Sequence, residues 1–363
     1  MAFPFRHPRG WLFLVTAFVS GSLLTYLVIL TPQVGVISRE QNAPILHNLR
    51  VLSSVSQTLV NESLINFMWK ETLVNHSSGQ QSPSMGEPSR KYEDNYLKKI
   101  RVLCWIMTSP DTLMLKALHI KNTWGPRCDH ILYMSSVENT TFPAVGLNVT
   151  EGRDSLWNKT RAAFEYIYKH NLTRKFDWFL KADDDTYVIV DNLKYFLRDK
   201  NSSKAVYYGH HFAPFIKNGY MSGGAGYVLS RYAVETLVKI GLNNQLLCPQ
   251  NGTFATAEDL SLGYCMQNIG VIAGDSRDSL NRSRFLPFPI PEIMRDNYLP
   301  DWYVQYARHK LQKGLECCSD YLISCHYVLP HQMYAMDYFV YHLRRALPNS
   351  DHTYLVNKTR LPI

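Results

Sequence analysis

Three aspartates stand side by side at Asp183-Asp184-Asp185, directly after the apolar run Trp178-Phe179-Leu180-Lys181-Ala182. Adjacent carboxylates repel one another, and placing them at the end of a buried strand is costly unless a cation offsets the charge. Alternate residues of an extended segment point the same way, so Asp183 and Asp185 can share one ion while Asp184 faces elsewhere. Oxygen donors favour Mg²⁺ or Mn²⁺ over softer metals. Two carboxylates leave such an ion short of ligands, and a diphosphate is a common way to complete its shell. A bare Asp triplet is otherwise a solvated acidic turn; the strand before it is what turns the reading towards a metal.

The elements that must hold this triplet are legible around it. Ile100–Thr108 reads as a buried strand ending at Ser109-Pro110. Residues Asp111–Trp124, with Leu113, Leu115, Leu118 and Ile120 apolar and Asp111 placed as a cap, predict a helix. His130–Met134 follows as a second strand, Arg153–Lys169 as another helix and Asp177–Ala182 as a third strand. Strands alternating with helices imply an α/β sandwich with parallel strands, whose ligands bind at the carboxyl ends of the strands. The Asp triplet falls at such an end.

The chain has 363 residues, 46% hydrophobic and 19% charged, which excludes wholesale disorder. Its formal net charge of +8 is scattered, apart from Lys98-Lys99-Ile100-Arg101 and Arg344-Arg345, and carries no nucleic-acid-binding motif, so no nucleic-acid partner is expected. No charge interrupts Gly10–Leu30, and Arg6 and Arg9 precede it. That length and flank predict a cytoplasmic tail at 1–10 and a transmembrane signal-anchor helix at 11–30, with the rest of the chain luminal; a cleaved signal peptide has a shorter apolar core. Asn-x-Ser/Thr acceptors at Asn61, Asn75, Asn139, Asn148, Asn158, Asn171, Asn201, Asn251, Asn281 and Asn357 fit a secretory surface. Seven cysteines without Cys-x-x-Cys spacing read as disulfides with one left over. Residues 31–97, rich in Ser, Asn, Gln and Pro, read as a luminal stem, in which 46–73 has enough Leu, Val and Ile to be helical and to pair with another chain. A catalytic domain at 98–345 and a C-terminal tail at 346–363 complete the organisation.

At this point the sequence resembles the metal-dependent glycosyltransferases of the GT-A type, an α/β fold with a Rossmann-like mixed sheet flanked by helices. Within them it is most similar to the core 1 β1,3-galactosyltransferases of the β3-glycosyltransferase family. The resemblance rests on Glu151-Gly152-Arg153-Asp154, on Trp178 through Val188, on Gly219 through Ser230, on Glu258-Asp259-Leu260, on Ala273 through Asp278 and on Cys317-Cys318-Ser319-Asp320, and it covers about 98–345. It implies inverting transfer of galactose from UDP-galactose to the 3-hydroxyl of GalNAc on Ser or Thr of glycoprotein acceptors, with Mn²⁺ on the diphosphate, in a single-pass type II protein of the Golgi membrane. It further implies Asp259 as the base, with Glu258 the alternative; Asp183, Asp185 and His326 as metal ligands; and Met107, Glu151, Gly152, Arg153, Lys159, Asp183, His326 and Tyr327 around the nucleotide. Trp302 resembles an acceptor-binding aromatic. Gly223-Gly224-Ala225-Gly226 would let the backbone approach a bound sugar, and it is no dinucleotide fingerprint, since Gly-x-Gly-x-x-Gly is absent. A homodimer and a dedicated chaperone stand as candidate partners.

Taken singly, each residue has a plainer role: Met107 in the core, Arg153 and Lys159 as surface charges at a helix start, Asp259 as an acid favoured by a helix dipole, and His326 in packing. The family pattern also suggests the pairs Cys104 with Cys128 and Cys248 with Cys265, a vicinal Cys317–Cys318 bridge, and a free Cys325 where the family has an aromatic. Two rivals remain. One is another inverting β1,3-glycosyltransferase of the fringe kind, told apart by its donor; the other is a non-catalytic, chaperone-like paralogue, against which the retained Asp183, Asp185, Asp259 and His326 argue.

Overall fold

The computed structural model describes residues 2–7, 10–19, 22–30, 99–250, 257–295 and 299–344. The anticipated stem, its 46–73 stretch and the C-terminal tail lie outside them. The chain divides into two units, Met1–Met85 and Gly86–Ile363. In the first, β1 (Ala2–His7), β2 (Gly10–Val19) and β3 (Ser22–Leu30) form an antiparallel meander, with Phe5 opposite Leu12 and Phe13 opposite Val28. The single helix expected over 11–30 is not seen among these strands. Leu is the commonest residue of the run, and Phe, Val, Thr, Tyr and Ile, which favour strands, make up nine of its 20 residues. Val19 pairs with Ser22. No helix among the described residues is long and apolar enough to cross a membrane.

The second unit is built from β4 (Val102–Met107), β5 (His130–Ser135), β6 (Ala144–Gly146), β7 (Trp178–Asp183), β8 (Tyr187–Val188), β9 (Val206–Gly209), β10 (His211–Phe212), β11 (Tyr220–Met221), β12 (Tyr227–Ser230), β13 (Ile272–Ala273), β14 (Phe285–Leu286) and β15 (Ser324–Cys325). Its helices are α1 (Leu118–Asn122), α2 (Leu156–Lys169), α3 (Val190–Leu197), α4 (Arg231–Thr236), α5 (Glu258–Asn268), α6 (Ile290–Met294), α7 (Asp301–Tyr306) and α8 (Pro330–Asp337). Seven strands make the main sheet in the order β13-β9-β12-β7-β4-β5-β6. Its β7-β4-β5-β6 part is parallel as expected, while β12 runs antiparallel to β7 and β9, so the sheet is mixed. A mixed sheet flanked by helices agrees with the GT-A-type arrangement.

The chain leaves β4 for β5 and β6 on one side, then returns through α2 to β7 on the other. Crevices open at the carboxyl ends of strands where the connections diverge in this way. Met107 and Asp183 sit opposite each other in register at those ends. The strands are held by burial on both faces, which period-2 alternation separates. Val102, Cys104, Ile106 and Leu180 pack on one side with Trp124 and Leu193; Leu103, Trp105 and Phe179 pack on the other with Trp157, Phe164 and Ile167 of α2.

The first helix differs from expectation. Residues Leu113–Ala117 form a wide π turn before α1 begins at Leu118. Asp111 is exposed and caps nothing; the N-cap is Thr112, and the preceding turn is closed by the Ser109 carbonyl, which accepts the N–H groups of Thr112 and Leu113, while the Ser109 N–H donates to Thr112 Oγ1 at 3.1 Å. Leu113, Ala117 and Ile120 are buried, and Leu115, two residues from Leu113 and so on the opposite face, is 68% exposed.

The cysteines pair as the resemblance implies, Cys104–Cys128, Cys248–Cys265 and Cys317–Cys318, leaving Cys325 free and buried. The first bridge fastens the central strand β4 to the segment before β5 across 24 residues. Replacing both of its cysteines with Ala is expected to lower stability by about 3 kcal/mol, the loop-closure entropy of such a bridge, read as a lower urea midpoint with a slope no smaller than wild type, since the unbridged unfolded chain exposes more surface.

Candidate active site

Asp183 is the last residue of β7, and a turn closed by the Thr186 N–H on the Asp183 carbonyl at 3.1 Å reverses the chain into β8. Trp124, fully buried, pins this turn by donating its indole N–H to the Thr186 carbonyl at 3.1 Å. Asp184 turns inward and accepts from Thr108 Oγ1 at 2.9 Å, and burial pushes its carboxyl above the usual range. Asp183 and Asp185 stay half-buried on the other side.

A second small sheet brings the histidine to them. In it β15 pairs antiparallel with β8, Cys325 opposite Tyr187, and parallel with β14. The ladder is extended by the His326 N–H on the Leu286 carbonyl at 3.1 Å and the Val328 N–H on the Asp185 carbonyl at 2.9 Å. His326 Nε2 thereby stands 3.0 Å from Asp185 Oδ1 and 3.6 Å from Asp183 Oδ2. One ligand atom from each of the three residues lies within 4.8 Å of the other two. Burial alone would raise Asp185, but the His326 hydrogen bond and the nearby charges of His326 and Lys116 hold its carboxyl down at about 2. Two carboxylates with one imidazole form a donor set that fits Mn²⁺, which accepts both types.

The second acidic pair opens α5. Glu258 is 6% exposed and fully engaged: its Oε1 accepts from Thr160 Oγ1 at 2.8 Å and from Tyr227 at 2.6 Å, and its Oε2 lies 3.8 Å from the Lys181 ammonium. Asp259 is more open. The Gly223 N–H donates to its Oδ2 and the Leu260 N–H to its Oδ1, each at 2.9 Å. Burial raises the Asp259 carboxyl above its ordinary value despite these two bonds. Of the two acids, Glu258 is spent on structure, whereas Asp259 lines the cavity with only backbone N–H groups as hydrogen-bond partners among the described residues.

One cavity of about 280 Å³ joins these groups. Asp183, His326 and Asp259 line it, with Met107, Arg153, Tyr327 and Trp302. Glu151, Gly152 and Lys159 stand behind this lining. The Lys159 ammonium, 2% exposed, binds both Glu151 oxygens at 2.6 and 2.7 Å and the Thr108 carbonyl at 2.8 Å, so its charge anchors Glu151. Burial works against the Glu151 charge, but Lys159 and the Ser136 N–H outweigh it and hold the carboxyl low. Gly152, at φ 109°, adopts a backbone that other residues avoid, and it turns the chain from Glu151 into the short 3₁₀ turn before α2. The Gly223-Gly224 pair makes room for the site's own side chains: a Cβ on Gly224 would run into the His326 ring.

Several groups at or beside the cavity lie beyond the anticipated set. Lys181 bridges Asp183 at 2.6 Å and the Gly223 carbonyl at 3.1 Å, and Lys116 holds Asp185 at 3.0 Å. Lys181 is readable in hindsight as a lone cation in an apolar strand, two residues before Asp183 and therefore on its side. Phe212, Tyr220, Phe288 and Tyr306 form an aromatic wall with Trp302, which is 46% exposed and 5.5 Å from the Tyr306 ring. Tyr327 stacks on His326 at 3.9 Å and holds φ 56°, a conformation costly for a bulky residue and concentrated at functional sites.

Comparison with known proteins follows the same line. The Fringe-like family matches residues 115–277. Over 250 residues the chain is 48% identical to glycoprotein-N-acetylgalactosamine 3-beta-galactosyltransferase 1 of Xenopus laevis, a match spanning 68% of each protein. It is 30% identical over 155 residues to a mouse beta-1,3-glucosyltransferase, covering 42% of this chain and 30% of that one. It is 28% identical over 188 residues to human chondroitin sulfate synthase 3, covering 46% of this chain and 20% of that one. A solved glycosyltransferase involved in glycosylation of the major capsid of PBCV-1 superposes with a TM-score of 0.29 at 18% identity, covering 42% of this chain and 70% of that one. The extent and identity of the Xenopus match decide the family: the chain belongs to the glycoprotein-N-acetylgalactosamine 3-β-galactosyltransferases.

Proposed function

We propose that the protein transfers galactose from UDP-galactose to the 3-hydroxyl of GalNAc on Ser or Thr of glycoproteins, with inversion at the anomeric carbon and Mn²⁺ as its metal. The observation that carries the reading is one cavity lined both by a carboxylate free to act as base, Asp259, and by the metal-ligand pair Asp183 and His326. Inversion is a single displacement: the acceptor oxygen bonds to the anomeric carbon as the bond to the UDP oxygen breaks. Asp259 takes the hydroxyl proton, its carboxylate aimed by the Gly223 N–H. Asp183, Asp185 and His326 would hold the cation, which when bound supplies Lewis-acid stabilisation of the departing diphosphate. Arg153 adds positive charge on the cavity wall. Trp302 and Tyr306 offer aromatic faces to the apolar side of a sugar ring.

We also place the catalytic unit in the secretory lumen, held at the Golgi membrane by the N-terminal apolar run. Ten glycosylation acceptors and three disulfides support a luminal compartment. An open three-stranded meander cannot carry its unpaired edges into hydrocarbon, so membrane insertion of 11–30 calls for the helical form. In microsomes, protease should remove a tag placed before Met1 and spare the catalytic unit; digestion of both would contradict the topology.

With UDP-galactose, a GalNAc-Thr glycopeptide and Mn²⁺, we expect Gal-β1,3-GalNAc as product, with UDP-GlcNAc and UDP-glucose poor donors. Transfer only from another donor would move the assignment to a different β1,3-glycosyltransferase. Asp185→Ala should abolish metal-dependent transfer. Asp259→Asn should lower kcat by about 10²- to 10⁴-fold, the usual contribution of a general base, with KM for the donor near wild type. The base must be ionised to accept a proton, and burial raises its pKa above 3.8. The acid limb of the kcat/KM profile should therefore fall at a pH above that value and disappear in Asp259→Asn.

A further inference from the structure

Each carboxylate that faces His326 does so with one oxygen, and a lysine occupies the other. Asp183 turns Oδ2 towards His326 Nε2, at 3.6 Å, while the Lys181 ammonium binds its Oδ1 at 2.6 Å. Asp185 turns Oδ1 towards the same nitrogen, at 3.0 Å, while the Lys116 ammonium binds its Oδ2 at 3.0 Å. The two lysines come from unrelated elements, β7 and the π turn of Leu113–Ala117. Each is fixed by further partners. Lys181, 2% exposed, also donates to the Gly223 carbonyl at 3.1 Å and lies 3.8 Å from Glu258 Oε2; Lys116 reaches Asp184 Oδ1 at 3.6 Å.

We propose that Lys116 and Lys181 are positioning residues that restrict Asp185 and Asp183 to one donor oxygen each and so set the metal selectivity of the site, favouring Mn²⁺ over Ca²⁺. The inference rests on the metal reading of the Asp183-Asp185-His326 cluster and deepens it. Ca²⁺ takes six to eight oxygens and readily uses both oxygens of one carboxylate, whereas smaller divalent ions prefer six ligands and single-oxygen carboxylates. With each second oxygen engaged by an ammonium, the protein offers two oxygens and one nitrogen. Diphosphate and water then complete the shell, an arrangement that suits a small six-coordinate ion and withholds the two-oxygen carboxylate contacts with which calcium reaches seven or eight ligands.

The test is calorimetric titration of the full chain with MnCl₂ and, separately, with CaCl₂, each with and without UDP. It compares wild type, Lys116→Met, Lys116→Arg and Lys181→Met, with Asp185→Ala as the non-binding control. Wild type should prefer Mn²⁺. In Lys116→Met the ratio of Mn²⁺ to Ca²⁺ affinity should fall roughly tenfold, the scale on which groups behind a metal ligand act, and Lys116→Arg should stay near wild type because it retains the pairing. Lys116 is half-exposed, so its substitution is expected to leave the melting temperature close to wild type and to carry the test should Lys181→Met fail to fold. If Lys116→Met changes both affinities by the same factor, the lysines act only as counter-charges and the proposal is wrong. If wild type binds neither ion with or without UDP while folded, the metal reading of the cluster fails first.

Discussion

Like charge at the end of a buried strand is the constraint on which this site is built. Asp183, Asp184 and Asp185 follow one another where β7 leaves the core, and an uncompensated cluster there would not persist. The structure separates them by direction. Asp184 turns back to Thr108, and its neighbours are left to His326, Lys116 and Lys181. The surroundings follow from this division: the Trp124 indole that pins the turn, the glycine at 224 that leaves space for the imidazole, and the two-residue pairing of β8 with β15 that delivers it.

The sheet explains why the candidate site forms at this end of β7. The order β7-β4-β5-β6 puts the divergence of connections between β4 and β7, and the crevice outside it is floored by Met107 and Asp183. Antiparallel β12 then feeds in from the other side. The segment that precedes it carries Gly223, whose N–H aims Asp259 and whose carbonyl receives Lys181. Asp259 directly, and Asp183 through the Lys181 ammonium, are thus tied to one residue, Gly223. Burial opposes the charge of that ammonium, but Asp183 and Glu258 outweigh it and keep the group protonated above its ordinary range.

Much of the central architecture was legible because it rests on local pattern. Apolar runs marked β4, β5 and β7 to within two residues at each end, and period-2 alternation placed Asp183 and Asp185 on one side. His326 was not legible in this way, since β15 is two residues long and joins β8 across more than a hundred residues; only family resemblance pointed to it. Lys116 escaped for a different reason: the π turn that directs it breaks the 3.6-residue phase used to read a helix, and the same turn leaves Asp111 without a capping role. The N-terminal run shows the limit of composition, because Phe, Val, Ile, Tyr and Thr suit a strand in a meander as well as an apolar helix.

The most direct test of the account is a crystal structure of the protein with UDP and Mn²⁺, with diffraction collected at the manganese absorption edge. The account predicts an anomalous peak bonded to Asp183, Asp185 and His326 and touching the diphosphate, with Asp259 facing the vacant sugar side of the same cavity. A peak elsewhere, or UDP bound in that cavity with no manganese at the three residues, would contradict it.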